Sequence, residues 1–384
     1  MSSPVRLLCL LVCLALLALP ALAAPFEFAG RWSYDEHEKG YLVRPGGITG
    51  DASGRVYVVD RETAAVQCYS PSGEYIGRWG TEGTGEILFT NPADVSLDDR
   101  GTLYVADTGN GRVQAFTQGC ALILTWDGSR FHRPVDVVVT GKDRTYVADV
   151  DQPEVLVVDK DGEVVETVGF EGEEDGGLSR PRALALDSGG NLLVLDEDLA
   201  RVTKYGPDGA FVLRFGEKGS EDGQLDSPEG LAVDTMDNVY VADSGNGRIA
   251  VFDSDGEFLG RIGARGSEDG EFEEGPFSVW VDPQGTVYVP DTARHGVELF
   301  REAVETPDND TNETAGDDGS AANLTEVNGT AANATATLSP TPTATAVNIT
   351  PYATPTPPRS VPAPIAGIFA ALAGVAALAA CRRT

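Results

Sequence analysis

Short stretches of alternating apolar and polar residues recur through the middle of the chain, and turn-forming residues separate them. Residues 228–234, 239–243, 248–252 and 257–263 are four successive stretches, and the second is rich in β-branched and aromatic residues. Gly, Asn, Asp and Ser, which favour tight turns, fill the gaps between them. No stretch between Pro45 and Glu305 has a helical period. The pattern therefore predicts four antiparallel strands joined by hairpin turns.

This four-strand unit is repeated along the chain. A proline precedes the first strand, an aspartate ends the second strand, and both recur at the same intervals of 42 to 48 residues. Two independent markers that keep one spacing indicate an internal repeat. The prolines are Pro45, Pro92, Pro134, Pro181, Pro228 and Pro276, and the aspartates are Asp60, Asp107, Asp149, Asp196, Asp243 and Asp291.

Four-stranded units of this length are typical of propeller blades, which pack radially because a lone sheet leaves both faces uncovered. The sixth repeat begins at Pro276 and stops after its third strand. Residues 26–32 match the fourth strand of the fifth repeat, so we expect this N-terminal strand to complete the last blade. The predicted fold is all-β, a six-bladed β-propeller over residues 24–305 with four-stranded antiparallel blades.

The repeat motifs resemble NHL repeats over about residues 26–303. An Asn-Gly-Arg element follows the second strand in repeats two and five, but it is absent or degraded in repeats one, three, four and six. The resemblance implies the same six-bladed fold. It is carried by residues 228–234, 239–243, 246–249 and 266–272, and again by residues 103–107 and 110–113.

The two ends of the chain differ from the body in composition. Residues 1–23 combine a basic residue, a short apolar run and Ala21-Leu22-Ala23, which is typical of a secretory signal peptide. Residues 306–363 are rich in Thr, Pro and Asn and predict an extended, disordered stalk. Residues 364–381 form an apolar run just long enough to be a transmembrane helix, and residues 382–384 are a basic cytoplasmic tail.

Sequons for N-glycosylation are confined to the stalk. Six Asn-x-Thr sequences occur after residue 306, and the body contains none. We therefore expect a glycosylated stalk, although an unmodified linker is the alternative. The asparagines are Asn309, Asn312, Asn323, Asn328, Asn333 and Asn348.

The stalk, the Ala-rich apolar run and the basic tail together are similar to the C-terminal sorting tails of archaeal surface proteins. The resemblance implies a location on the extracellular face of the cell membrane, where the helix is either retained or replaced by a lipid. Residues 362–365 read Pro-Ala-Pro-Ile where such tails carry Pro-Gly-Phe.

Net charge is −32, and most of the 60 acidic residues lie in the body. This charge argues against nucleic acid as a partner, because a polyanion is repelled. No cofactor is indicated with certainty, although the acidic loops, such as residues 171–176, could bind calcium through oxygen ligands. Cys68 and Cys120 could pair in an oxidising compartment, or could both remain free. We expect a monomer.

A binding site is expected where the repeats differ from one another. Strand geometry brings the residues that follow each repeat proline to one mouth of the central channel. The repeated aspartates are expected to cap the turns that follow them, and Arg112 and Arg248 to tie neighbouring strands. The candidate binding residues at the channel mouth are Asp94, Asp136, Arg182, Glu229, Phe277 and Trp280, although Trp280 could instead plug the channel.

Three functions remain open on the sequence alone. The first is a non-enzymatic scaffold that binds an extracellular protein or glycan. The second is a structural component of the cell envelope. The third is an extracellular metal-dependent lyase or hydrolase. Lyases that resemble this fold hold zinc with histidines, but His37, His132 and His295 fall at unrelated points of the repeat.

Overall fold

A computed structural model of the protein describes residues 26–36, 38–127, 130–140 and 144–303. The predicted signal peptide, the predicted stalk with its six sequons, the apolar C-terminal run and the basic tail lie outside these residues. Within the described part of the chain, no helix is long and apolar enough to cross a membrane.

Nearly all regular structure in the described residues is β-strand, arranged as six four-stranded antiparallel sheets. Apart from β1 (Phe26–Ser33), the strands follow one another blade by blade. Blade 1 contains β2 (Pro45–Gly50), β3 (Val56–Asp60), β4 (Ala65–Tyr69) and β5 (Tyr75–Trp79). Blade 2 contains β6 (Asp94–Leu97), β7 (Thr102–Asp107), β8 (Arg112–Thr117) and β9 (Leu122–Trp126). Blade 3 contains β10 (Pro134–Thr140), β11 (Arg144–Asp149), β12 (Val155–Val158) and β13 (Val164–Val168).

Blades 4 to 6 repeat this plan after two short strands in the preceding loop, β14 (Phe170–Glu171) and β15 (Gly177–Leu178). Single 3₁₀ turns follow the second strand of blades 2 and 5, at Thr108–Asn110 and Ser244–Asn246. Blade 4 contains β16 (Pro181–Leu186), β17 (Leu192–Asp196), β18 (Arg201–Tyr205) and β19 (Phe211–Phe215). Blade 5 contains β20 (Pro228–Val233), β21 (Val239–Asp243), β22 (Arg248–Phe252) and β23 (Phe258–Ile262). Blade 6 contains β24 (Trp280–Val281), β25 (Val287–Asp291) and β26 (Gly296–Glu302).

The N-terminal strand closes the ring, as the sequence predicts. Strand β1 pairs antiparallel with β26 from Phe26 opposite Glu302 to Ser33 opposite Gly296, with a bulge between Phe28 and Gly30. It becomes the outer strand of blade 6, whose order is β1-β26-β25-β24.

A side chain of β1 also ties blade 6 to blade 1. The Trp32 ring lies 5.4 Å from Tyr288 of blade 6 and 5.9 Å from Tyr69 of blade 1. A Cβ on Gly73 would lie 2.4 Å from the Trp32 ring, so only glycine leaves room for the indole there. The strand that completes the last blade therefore also seals its junction with the first.

The hydrophobic core consists of six separate clusters, and each lies between two neighbouring blades. Between blades 4 and 5, for example, Phe215 and Phe252 pack with their ring centroids 4.9 Å apart. Every blade thus covers a face of the next, and each large buried side chain contributes about 1.5–3 kcal/mol. Cys68 and Cys120 both belong to the cluster between blades 1 and 2, and no disulfide joins them.

The glycine- and acid-rich linkers between blades are ordered loops rather than open connections. In four of them the start and end of the loop pair as short parallel strands or bridges. Each such loop places one large apolar side chain in the hydrophobic cluster between two neighbouring blades, while acidic residues such as Glu173 and Asp175 face solvent. The buried side chains are Phe89, Leu178, Leu225 and Phe272.

The repeated aspartates hold these linkers in place. Asp60, Asp149, Asp196 and Asp291 accept hydrogen bonds from backbone amides of the turn that follows, as predicted. Five of the six repeated aspartates, all except Asp291, also accept a hydrogen bond from a backbone amide of the linker that precedes their blade. Asp107 and Asp243 instead bond the following turn through the side chains of Asn110, Arg112, Asn246 and Arg248.

In four blades an arginine also bonds backbone carbonyl oxygens of the preceding linker. The Arg112 guanidinium bonds Asp107 and the carbonyl oxygens of Thr84, Gly85 and Leu88 in the preceding linker. Arg248 does the same in blade 5. The Asn-x-Arg element is degraded in repeats four and six, as the sequence indicates, but Arg201 and Arg294 still bond carbonyl oxygens of their own linkers.

Asp243→Asn should destabilise the disc by about 3–5 kcal/mol, because it leaves the buried Arg248 guanidinium without its counter-charge. Asp243 is fully buried and lies 2.8 Å from Arg248 Nε. The free energy of unfolding in urea measures this loss. Asp255→Asn, which changes an exposed aspartate in a turn of the same blade, is the control and should cost less than about 0.5 kcal/mol. Equal effects of the two substitutions would contradict the assignment.

Candidate functional site

The innermost strands of the six blades enclose a cavity of about 350 Å³ in the central channel. The structure brings all six sequence-predicted residues to the lining of this one cavity. They come together because each blade begins at its proline beside the axis and runs outward. Their role in binding stays a prediction. The six are Asp94, Asp136, Arg182, Glu229, Phe277 and Trp280.

Asp94 and Asp136 form a buried pair of carboxyl groups on neighbouring blades. Asp136 accepts backbone amides from Val137 and from Leu184 of blade 4, each at 2.6 Å. Burial raises the pKa of both groups, and the adjacent Asp136 carboxylate raises the pKa of Asp94 further. The amide donors favour charge on Asp136. The proton therefore lies on Asp94, whose carboxyl group donates a hydrogen bond to Asp136.

Two glycines allow blade 1 to approach this pair. A Cβ on Gly47 would lie 1.6 Å from Asp94 Oδ1 and 2.5 Å from Asp94 Cα, so any other residue would push the two strands apart. A Cβ on Gly46 would lie 3.0 Å from Arg61 Nε. The Gly46-Gly47 pair in the first repeat therefore makes room for functional groups of two blades.

An ion pair bridges blades 4 and 5 at the same end of the channel. Arg182 donates from Nε to Glu229 Oε2 at 2.7 Å, and its Nη2 bonds the same oxygen. Glu197 lies 3.9 Å from Arg182 Nε and is bound by Arg180 at 3.2 Å. Burial and the nearby Glu229 raise the pKa of Glu197. Arg182 thus stands between two acids and its charge is compensated.

Arg61 also lines the cavity and was missed by the sequence interpretation, which considered only the residues that follow each proline. It directly follows the repeat aspartate Asp60. The equivalent residues Thr108, Ser244 and Thr292 donate their hydroxyl groups to the proline carbonyl of the next blade. Arginine cannot make that short contact. An arginine at a position that carries a hydroxyl residue in three other blades was therefore the signal in the sequence that could have identified Arg61.

Trp280 and Phe277 line the cavity differently. The Trp280 ring lies 5.0 Å from the Tyr288 ring and occupies the space above Gly50, where a Cβ would lie 2.2 Å from the indole. It packs against the cluster between blades 6 and 1, three residues along the chain from Phe277. Phe277 is half-buried among the residues that begin the innermost strands. Trp280 therefore both fills space and borders the cavity.

The two described histidines lie outside the cavity lining. His132 Nδ1 is 2.9 Å from Gln152 Nε2, and His295 Nδ1 is 3.1 Å from the carbonyl oxygens of Leu42 and Val43. Among the described residues, which do not include His37, no group of three or more His, Cys, Asp or Glu side chains is placed to hold a metal ion. Calcium binding therefore stays a prediction.

Comparison with known families finds the NHL repeat at residues 89–116 and 225–252, each of which runs from the end of a linker through the third strand of a blade. Among curated proteins, no match was found. The chain thus carries NHL repeats on a six-bladed β-propeller.

Solved structures share the fold at low sequence identity. A virginiamycin B lyase from Staphylococcus aureus aligns with a TM-score of 0.52 and 11% identity over 72% of this chain and 99% of the other. A protein of unknown function from Bacteroides thetaiotaomicron aligns with a TM-score of 0.56 and 17% identity over 72% and 75%. Kuenenia stuttgartiensis hydrazine synthase aligns with a TM-score of 0.50 and 15% identity over 71% and 100%. Likeness at these identities shows the fold alone.

Asp94→Asn should change how stability depends on pH. Above a pH of about 4, unfolded aspartate has lost its proton, whereas folded Asp94 keeps it. Stability of the natural protein therefore falls as pH rises towards the raised pKa of Asp94, by about 1.4 kcal/mol per pH unit from this group. Asparagine cannot ionise, so the natural protein should lose stability relative to the variant as the pH rises above about 5.

Urea unfolding at several pH values measures this difference. Asp99→Asn, at an exposed position of the same blade, is the control and should follow the natural protein at every pH. If Asp94→Asn and the natural protein have parallel pH profiles, Asp94 does not hold the proton.

Proposed function

We propose that this protein is a non-enzymatic binding scaffold on the extracellular face of the cell membrane, and that its channel mouth receives part of an extracellular protein or glycan. The proposal joins two features of the chain. One is a disc of NHL repeats whose innermost strands line a cavity in the central channel. The other is the predicted export signal, glycosylated stalk and C-terminal anchor, which would hold the disc away from the membrane.

One observation carries the proposal: residues that break the repeat converge on one cavity. The strands that form the blades obey the repeat closely, but the residues after the prolines differ in size and charge from blade to blade. A position that only supports the fold tends towards the same residue in each blade, as the buried aspartates do. Divergence that converges on a shared mouth is therefore better explained by contact with a ligand.

The mouth is also preorganised. Arg182, Glu229 and Asp136 are each fixed by bonds to another blade or to its backbone. Groups that are already held in place lose little conformational freedom on binding, so more of the interaction energy appears as affinity. The cavity volume of about 350 Å³ lies at the lower end of the usual range for ligand pockets, which suits one sugar ring or one projecting side chain.

Two alternatives remain, and the capture experiment below tests the structural one. Likeness to the lyases at 11% identity shows the fold alone, and the described histidines lie outside the cavity lining, so the cavity favours binding over metal-dependent lysis. A purely structural envelope component would need no specific mouth residues. Retention of a partner by the natural mouth and not by an altered one separates binding from structure.

Replacing both Arg182 and Glu229 with alanine should abolish capture of the partner. Full-length tagged protein is incubated with surface-labelled extract of the native cells, and retained proteins and glycans are quantified. Loss of a central, desolvated contact weakens binding by at least about tenfold.

The control removes another ion pair of the disc, between Arg144 and Glu166 on blade 3, whose side chains are partly exposed and lie outside the cavity lining. The Arg144→Ala, Glu166→Ala variant should retain the partner as the natural protein does. Partner retention that is equal in both double variants would refute the channel mouth as the binding site, and absence of any retained partner would refute the scaffold role.

A further inference from the structure

Three arginines come close to the channel mouth, and their surroundings differ. Arg182 is bound by Glu229, and Arg180 is bound by Glu197. Arg61 has no hydrogen bond or ion pair with any residue that the structure describes, although it lines the cavity. Its Nε is buried and without a partner. One guanidinium group at the mouth therefore has donors that no described residue accepts.

This arrangement is costly in the empty protein. A buried guanidinium nitrogen without an acceptor loses its water and gains nothing in return. Glu229 and Asp94 favour the charge of Arg61 through space, but neither accepts a hydrogen bond from it, and Glu229 is already bound to Arg182. Burial, together with the like charge of Arg182, lowers the pKa of Arg61 to about 10, which still leaves it charged at neutral pH.

The backbone is shaped to accept Arg61 in this place. Gly46 lies against the Arg61 side chain, and a Cβ there would approach Arg61 Nε to 3.0 Å and Arg61 Cδ to 3.3 Å. The neighbouring Ala93 also carries a small side chain. An arginine at the surface needs no such space, so the fold keeps room for this side chain beside the cavity.

We propose that Arg61 anchors an anion site, and that the natural ligand inserts a single carboxylate group into the channel mouth. The inference rests on the proposed function and names the chemistry of the partner. Guanidinium groups bind carboxylates through two parallel hydrogen bonds, which matches the unused donors of Arg61. Glu229, Glu197 and Asp136 surround the site with negative charge, which favours a monoanion over a doubly charged phosphate.

A carboxylate of this kind could belong to an acidic sugar or to a peptide, and two pairs of probes separate the sources. Glucuronate is compared with glucose, and N-acetylalanine is compared with N-acetylalaninamide, so that each pair differs in the carboxylate. Binding to the full-length protein is measured by calorimetry at low salt, since salt screens exposed charges. We expect at least one acid to bind at least tenfold more tightly than its neutral analogue.

Arg61→Gln should weaken binding of that acid at least tenfold. The matched control is Arg78→Gln, which removes an exposed arginine from the outer strand of the same blade and should change affinity less than threefold. The melting temperature gives a second readout, because a ligand-binding role and a structural role move it in opposite directions. Removing a guanidinium whose buried Nε has no acceptor should leave the melting temperature of the free protein unchanged or raised.

Three results would overturn the inference. They are equal binding of acids and neutral analogues by the natural protein, unchanged acid binding in Arg61→Gln, and a lower melting temperature for Arg61→Gln than for Arg78→Gln. Failure here is distinguishable from failure of the proposed function. A partner captured through Arg182 and Glu229, and not displaced by either acid, would keep the scaffold and remove only the carboxylate.

Discussion

The pairing of the first strand with the last is the contact on which this molecule depends. Each blade has two sheet faces to cover, and the six hydrophobic clusters do so only if the blades form a closed ring. Strand β1 supplies the missing edge of blade 6, and its Trp32 fills the junction with blade 1. Closure also brings the innermost strands of all blades around one cavity. The candidate site is thus a consequence of the ring, and any residue at its mouth is held by the whole disc.

Much of this fold could be predicted from the sequence, because strands and turns are determined by neighbouring residues and the same pattern of strands and turns occurs in all six repeats. The alternation of residues 239–243 defines a strand, and the fixed distance from Pro228 to Asp243 defines a blade. The linkers were harder, because their conformation depends on contacts across the chain. Arg201 and Arg294 bond linker carbonyl oxygens that lie 23 to 28 residues earlier in the chain, and the altered turn sequences around them hid that role.

The site was predicted in position and only partly in chemistry. Topology alone places Asp94, Asp136, Arg182 and Glu229 beside the axis, and they do line one cavity. Which acid carries a proton and which arginine lacks a partner depends on distances of a few ångströms between blades. The amide of Leu184 on another blade favours charge on Asp136, and Arg61 lacks an acceptor because Glu229 is bound to Arg182. No spacing along the chain encodes those contacts.

Amide hydrogen exchange along β1 is the most direct measurement of ring closure. If β1 is an integral strand of blade 6, the hydrogen-bonded amides of Phe26–Ser33 exchange only through global unfolding. Their protection factors should then lie within about tenfold of those in β21 and β22 of blade 5, a difference of about 1.4 kcal/mol. Exchange of the β1 amides several orders of magnitude faster than in blade 5 would show that the ring opens independently of the disc, and would contradict the account.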